Sequence, residues 1–270
     1  MSSELINQPM QTTVDPSRQV NGGVPNRRNQ HDEVAMQQDV NDEYVKPVLA
    51  ELVGMFAFVF IGAGSIVVNG LPANTTGLLG IALAHGLVLA IMICIFGATS
   101  GGHFNPAVTI GLCVTRHITP LKALLYIVAQ LVGGTLGGLL LRAIFPTAVW
   151  QATHLGTPAL APGISFGTGI LIEAVLTFFL LLAVFGTAVD PRAPKIGGFG
   201  IGFTVLFDIL AGGALTGAAM NPAIAFGPAL AGGFWQNQLV YWIGPIIGGI
   251  IAALLYEFFI LPARNRATAS

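Results

Sequence analysis

Two asparagines in matching surroundings are the first side chains in this sequence that could do chemistry. One lies in "GGHFNPAVTIG" and the other in "GAAMNPAIAFG", 116 residues further on. They open two copies of one tripeptide, Asn105, Pro106 and Ala107, then Asn221, Pro222 and Ala223. Asparagine followed by proline predicts a helix start, because the side chain caps a free backbone N–H and proline lacks one. The amide can also donate hydrogen bonds to a ligand.

Ionisable side chains within apolar segments form the second set of candidates. Glu51 lies in "AELVGMFAFVFIGAG" and Glu173 in the similar "IEAVLTFFLLLAVFG". His103 comes two residues before the first box, and Asp208 lies in another apolar run. Such residues are functional suspects when a membrane surrounds them. Because the sequence places no nucleophile beside a base and shows no metal-spaced cluster, we predict neither an enzyme nor a bound cofactor or metal.

The composition indicates a membrane protein. Of 270 residues, 54% are hydrophobic and 9% are charged, whereas soluble domains average about 25% charged residues. The net charge of −1 gives no basic footprint for nucleic acid. We therefore expect the lipid bilayer, and no nucleic acid, as the surroundings of this chain.

Six apolar runs are long enough to cross about 30 Å of hydrocarbon. They cover residues 47–69, 77–98, 121–145, 167–189, 197–214 and 238–260. Six spans put both termini on one side of the membrane. Nearly all the basic residues fall on that side, and Arg142 is the exception, so the positive-inside rule predicts cytoplasmic termini. Plasma and internal membranes both remain open.

Two further apolar stretches, about 105–115 and 221–231, are too short to span and too apolar for a loop in water. We interpret them as re-entrant half-helices that begin at the two boxes. Non-helical backbone at membrane depth is tolerated only inside protein or along a water-filled cavity. The stretch 99–102, Thr-Ser-Gly-Gly, can turn sharply and expose carbonyl groups.

The chain also repeats itself, since Glu51 matches Glu173 as the first box matches the second. Each half has the order span, span, half-helix, span, with bounds of about 46–145 and 165–262. Three spans are an odd number, so the second half enters the membrane inverted, as in other proteins with broken helices. The fold class predicted is therefore all-α, with two half-helices that enter from opposite faces and meet at their N-termini.

The ends of the chain differ from this membrane domain at 46–262. Residues 1–45 are polar and lack a sustained apolar period, which predicts a disordered cytoplasmic tail. This tail is either a solubilising or trafficking segment or a cap on the inner mouth. Residues 263–270 form a short second tail.

From about residue 47 to 262, the chain resembles the aquaporins, or major intrinsic proteins, in these motifs. The resemblance rests on the paired boxes, "SGGHFNPAVT", the two glutamates and "YWIGP" in the sixth span. It implies a homotetramer with one pore for water in each subunit. It also implies that Glu51 and Glu173 accept hydrogen bonds from the re-entrant loops. His103 either braces its loop or lines the pore, and Asp208 either bonds outer-loop backbone or faces the outer mouth.

The half-helices would place partial positive charge at the pore centre, which repels cations. Asn105 and Asn221 would donate hydrogen bonds to a passing water oxygen. A water held in this way donates outward in both directions, so it interrupts the proton wire.

The resemblance also assigns four positions to the outer constriction, counted from the boxes. They are His85, Ile209, Ala218 and Ile224. Most aquaporins have arginine at the last of these, which supplies donors and a fixed cation. Here Ile224 supplies neither, so His85 is the only polar side chain of the four. We therefore expect a pore that admits water and small neutral solutes such as ammonia, hydrogen peroxide and urea.

Several alternatives remain open on the sequence. Ile224 could simply pack, which would leave a channel for water alone or one gated by the tail. A glycerol facilitator is disfavoured, because its usual aspartate and basic residue are replaced by Ala225 and Ala229. A coupled secondary transporter could also use inverted repeats, with Glu51, Glu173 and Asp208 as candidate ion ligands.

Overall fold

The regular structure of this chain is helical throughout the part that the structure describes. A computed structural model describes residues 38–72, 76–194 and 196–262. The α-helices are α1 (Lys46–Asn69), α2 (Gly77–Ser100), α3 (Pro106–Val114), α4 (Pro120–Ile144), α5 (Thr147–Ala152), α6 (Phe166–Val184), α7 (Phe199–Thr216), α8 (Pro222–Gly232) and α9 (Val240–Leu255). Short π-helical turns, Phe185–Val189 and Tyr256–Ile260, extend α6 and α9.

The six predicted spans are confirmed. Six helices are long and apolar enough to cross a membrane, namely Gln38–Asn69, Gly77–Ser100, Pro120–Ile144, Phe166–Val189, Phe199–Thr216 and Val240–Ile260. The two short apolar stretches form α3 and α8. Each of these begins at the proline of a box, with the preceding asparagine as its N-cap.

Helical backbone begins before residue 45, where the sequence analysis placed the end of the tail. Helical backbone runs from Gln38 to Asn69, so residues 38–45, assigned to a disordered tail, belong to the first helix. Pro47 cannot donate to the carbonyl four residues before it, and a π-helical turn at Asn41–Val45 lies there. An ion pair between Asp42 and Lys46 supports this turn. The rest of the N-terminal tail, the tail 263–270, Asn74 and Lys195 lie outside the described residues.

The described residues from Asn41 onward belong to one compact unit, in which the helix contacts repeat between the halves. In the first half α1 packs on α2 and α4, and in the second half α6 packs on α7 and α9. The halves are joined by the α2–α7 contact and by two crossed contacts, α4 with α8 and α9 with α3. Each half-helix therefore packs against the last long helix of the opposite half, which brings α3 and α8 to the centre.

Glycines allow the first and third long helices of each half to approach closely. A Cβ on Gly137 of α4 would lie 2.9 Å from the carbonyl oxygen of Phe56 and 3.1 Å from Cβ of Val59 in α1. Gly244 of α9 has the same relation to α6, where a Cβ would lie 2.7 Å from the carbonyl oxygen of Ile170. Small residues at such contacts let helix backbones pack in a membrane, where burial from water gives no driving force.

Gly137→Ala should therefore destabilise the fold. Its methyl group would meet backbone atoms of α1 that cannot rotate away, and overpacking of this kind costs about 1–3 kcal/mol. We expect a lower denaturation temperature in detergent, measured by intrinsic fluorescence. Gly167→Ala is the matched control, because nothing lies within 4 Å of the added carbon. Equal stability of the two variants would contradict this account of the helix contact.

Candidate transmembrane pore

The segments that lead into the half-helices have no regular structure and turn sharply. Gly101 and Gly217 end α2 and α7 with φ values of 92° and 87°, a left-handed conformation that favours glycine. Phe104 and Met220, directly before the two asparagines, also have positive φ, at 42° and 51°. Side chains rarely adopt this conformation unless their surroundings hold them there. Residues 101–104 and 217–220 therefore need strong partners.

Glu51 is the partner of the first segment. Its carboxylate accepts hydrogen bonds from the backbone N–H groups of His103 and Phe104, at 2.9 and 2.7 Å. It also accepts from the hydroxyl of Ser100 at 2.7 Å and from Nε2 of Gln130 at 2.8 Å. The Glu51 side chain is fully buried. Its donors belong to the segment itself, to the last residue of α2 and to α4.

Glu173 repeats this arrangement in the second half. It accepts from the backbone N–H groups of Ala219 and Met220, at 3.0 and 2.7 Å, and from the hydroxyl of Thr216 at 2.7 Å. In both halves a tyrosine hydroxyl donates to the carbonyl that ends the preceding helix, at 2.8 Å, from Tyr126 and Tyr241. Each glutamate therefore binds two backbone N–H groups of the segment that precedes a half-helix.

Glu173→Gln should disturb the second segment more than its small change in shape suggests. The amide nitrogen would face N–H and O–H donors, and each buried donor left unsatisfied costs about 1–3 kcal/mol. We expect a lower denaturation temperature in detergent and a loss of water permeability per folded protein in vesicles. Glu43→Gln, at an exposed carboxylate away from the cavity lining, is the control. A Glu173→Gln variant as stable and permeable as wild type would rule out the bracing role.

The two asparagines bind each other's segments. Nδ2 of Asn105 donates to the carbonyl of Met220 at 2.9 Å, and Nδ2 of Asn221 donates to the carbonyl of Phe104 at 2.8 Å. Their Oδ1 atoms accept from the N–H groups of Ala107 and Ala223, at 2.8 and 2.9 Å. The N-termini of α3 and α8 therefore meet, as expected. An amide nitrogen carries two hydrogens, so one on Asn105 is left after its carbonyl bond, while the second on Asn221 faces only the distant Sδ of Met55, 4.0 Å from Nδ2.

A cavity of about 330 Å³ passes this meeting point. Both asparagines line it, together with Gly101, Gly102 and His103 from the first segment and residues 217–220 from the second. Most of its other lining residues are apolar, for example Leu89, Val108 and Leu180. The cavity is thus lined by backbone and amide groups of the two segments and by apolar side chains of the long helices.

All four residues assigned to the outer constriction line this same cavity: His85, Ile209, Ala218 and Ile224. Each is at most 6% exposed. Nδ1 of His85 lies 2.9 Å from the carbonyl oxygen of Ile81, which can only accept, so Nδ1 carries a hydrogen. In a neutral ring Nε2 is then a hydrogen-bond acceptor. The three other side chains add no donor and no charge.

His103 occupies both of the positions that the sequence left open. Its ring lines the cavity, and its Nδ1 lies 3.1 Å from the hydroxyl of Thr109 in α3. Gln130 also donates to that hydroxyl, at 3.0 Å. The sequence analysis did not assign Thr109 and Gln130 to this network, because a lone threonine and glutamine in apolar helices give no distinctive signal.

Asp208 fits neither of its two expected positions. It is 1% exposed and is not among the residues that line the cavity. Its Oδ2 has no hydrogen-bond partner within the described residues, so the structure shows no bond to outer-loop backbone. Asp208 therefore lies inside the protein beside the pore wall.

Two features of the pore ends are absent from the sequence predictions. At the end near the termini, Nε2 of His117 lies 2.7 Å from Glu257, and His117 lines the cavity. Nearby, hydrogen bonds from Arg192 lower the pKa of Asp190 to about 2. The pair of Asp190 and Arg192 therefore stabilises the folded protein above about pH 4 and loses this contribution as the pH falls toward 2.

At the other end of the cavity, Gly156 and Pro158 contribute to the lining. Both lie in the connection between α5 and α6.

The comparisons with known proteins agree with this geometry. A family model described as "Major intrinsic protein" matches residues 39–256. The chain belongs to the major intrinsic protein family. "Aquaporin TIP4-4" from Zea mays is 48% identical over 79% of this chain and 86% of its own length. "Aquaporin-8" from Mus musculus is 40% identical, with coverage of 83% and 86%.

A solved structure shows the same fold. The aquaglyceroporin from Plasmodium falciparum matches with a TM-score of 0.67 at 23% sequence identity, over 81% of this chain and 97% of that one. The predicted fold class and family are confirmed. The chain is an integral multi-pass membrane protein and a passive channel for water, and it is not an enzyme.

Proposed function

We propose that the pore conducts water together with small neutral solutes, with ammonia, hydrogen peroxide and urea as the candidates. The observation that carries this proposal is the set of side chains at the outer constriction. Ile209, Ala218 and Ile224 line the cavity beside His85 and contribute only apolar surface. A solute that enters there loses hydrogen bonds to bulk water and gains few from these side chains. The free-energy cost of entry is therefore no higher for a molecule less polar than water than for water itself.

The absence of a cation at position 224 supports the same selectivity. A guanidinium would extend into the pore, bind water through its donors and repel cations. Ile224 is shorter and 5% exposed, so it leaves space that arginine would fill. Exclusion of ions and protons then rests on the meeting point of α3 and α8.

At that point two helix N-termini face one another, and each contributes partial positive charge. The carbonyl bonds of Asn105 and Asn221 fix both amides. The second hydrogen of each can bind a water oxygen, which on Asn221 would replace a long contact with Sδ of Met55 at 4.0 Å. A water oriented by two donors cannot accept a proton from its neighbour and pass it on. We therefore assign the asparagines to proton exclusion and Glu51, Glu173 and His103 to support of the loops.

The alternatives receive less support from the structure. Ala225 and Ala229 are fully buried, and they replace the charged residues expected of a glycerol facilitator. The likeness to an aquaglyceroporin, at 23% identity, bears on the fold alone. A coupled transporter would need its halves to move, whereas reciprocal hydrogen bonds join them at the centre. We also propose a homotetramer with cytoplasmic termini, in which the N-terminal tail either gates the inner mouth or is a solubilising segment.

Ile224→Arg tests the solute range. The guanidinium should narrow the pore and favour water, so we expect hydrogen peroxide and urea permeability to fall about tenfold or more, equivalent to about 1.4 kcal/mol of barrier. Water permeability should change much less. The measurement is stopped-flow light scattering for water and urea and a dye assay for peroxide, in vesicles with matched amounts of folded protein.

Ile224→Leu is the control, because it keeps the side chain apolar and should leave all three permeabilities close to wild type. The proposal fails if wild-type vesicles pass water alone, which would make Ile224 a packing residue. A flux that is absent until residues 2–37 are removed would favour gating by the tail.

A further inference from the structure

We infer that Gly62 is a positioning residue for the outer constriction, because its missing side chain provides the space in which the imidazole of His85 lies. Gly62 is buried in α1 and is not among the residues that line the cavity. It would therefore act on solutes only through His85. The inference rests on the proposed function, since the position of His85 matters to solutes only if His85 belongs to the proposed constriction.

The space between α1 and the ring is too small for a methyl group. A Cβ on residue 62 would lie 2.6 Å from Cδ2 of His85, 2.7 Å from Nε2 and 3.2 Å from Cε1. Three atoms of a rigid ring are involved, so no small torsion at the end of a flexible chain relieves the overlap. With any larger residue at position 62, the whole imidazole must move.

The surroundings of His85 limit where the ring can go. Nδ1 is bonded to the carbonyl of Ile81 one turn earlier, at 2.9 Å. The ring of Phe58 meets the imidazole edge-on, with centroids 6.0 Å apart. The open space beside His85 is the cavity that it lines. A ring displaced from α1 would therefore project into the pore and narrow it.

The same displacement would change the polar group that a solute meets. Nε2 is the acceptor of the neutral ring, and it is the ring nitrogen closest to position 62. A methyl group at that position would cover Nε2 or turn it to a new direction. Gly62 thus affects both the width of the constriction and the acceptor nitrogen of its one polar side chain.

The inverted repeat offers an internal comparison. By the spacing of the two glutamates, Gly62 corresponds to Val184, and by the spacing of the two boxes His85 corresponds to Ile201. Val184 and Ile201 both line the cavity. In the second half the equivalent position therefore carries a side chain that forms pore wall. The first half has glycine there and a larger ring opposite.

Gly62→Ala tests the inference. We expect urea permeability to fall about tenfold, equivalent to about 1.4 kcal/mol of barrier, while water permeability falls less. Gly64→Ala is the matched control on the same helix, because its methyl group would meet only Cδ2 of Leu141, at 3.1 Å. That variant should keep wild-type permeabilities. Fluxes are measured in vesicles with matched amounts of folded protein.

The double variant Gly62→Ala/His85→Ala separates positioning from general damage. Without the imidazole, the methyl group at position 62 has nothing to displace, so its effect on flux and on denaturation temperature should vanish relative to His85→Ala alone. A loss that persists in the double variant, or that also appears in Gly64→Ala, would overturn the inference. If Gly62→Ala fails to fold, recovery of folding in the double variant supports the inference and continued failure overturns it.

The experiment also distinguishes failure of the proposed function. If wild type passes no urea, the broad solute range is wrong, and water permeability becomes the readout for Gly62. A fall in water flux in Gly62→Ala that His85→Ala removes would still support the positioning role. Unchanged water flux in Gly62→Ala would contradict it.

Discussion

Backbone groups that lack helical hydrogen bonds, and yet lie at membrane depth, set the main constraint on this protein. Lipid offers no partner for an N–H or carbonyl group, so non-helical backbone must be satisfied by protein or pore water. Glu51 and Glu173 meet this need for residues 103–104 and 219–220. With the N–H groups directed to the carboxylates, the carbonyls of these segments are left for the pore and for the two asparagines.

The asparagines use the carbonyls of the same non-helical segments to join the two halves of the molecule. Each caps its own half-helix and donates to the segment of the other half. The crossed contacts of α4 with α8 and of α9 with α3 fix the half-helices from behind. Under the proposed function, two bonded N-termini held in this way would be a static barrier to cations, and solutes would pass without movement of the halves. That is the physical basis of a passive channel.

The sequence predicts those parts of the structure that depend on strong local signals. Asparagine before proline, apolar runs of membrane length and glutamates within them identify α3, α8, the six long helices and both carboxylates. It does not predict contacts that depend on packing. The helical turns at 38–45 lie in a polar stretch without an apolar period, the place of Gly156 in the cavity wall depends on how the connection between α5 and α6 folds, and Gln130 has no pattern of its own.

Comparison of the two halves separates support from selectivity. Glutamate, tyrosine and asparagine recur at equivalent positions, where each half must solve the same backbone problem. The pore-lining positions differ, since His85 corresponds to Ile201 and His103 to Ala219. A repeat that was symmetric throughout would give the same lining at both ends of the pore. Because His85 and His103 belong to the first half, the cavity has polar side chains at these two places, while Ile201 and Ala219 at the corresponding places of the second half are apolar.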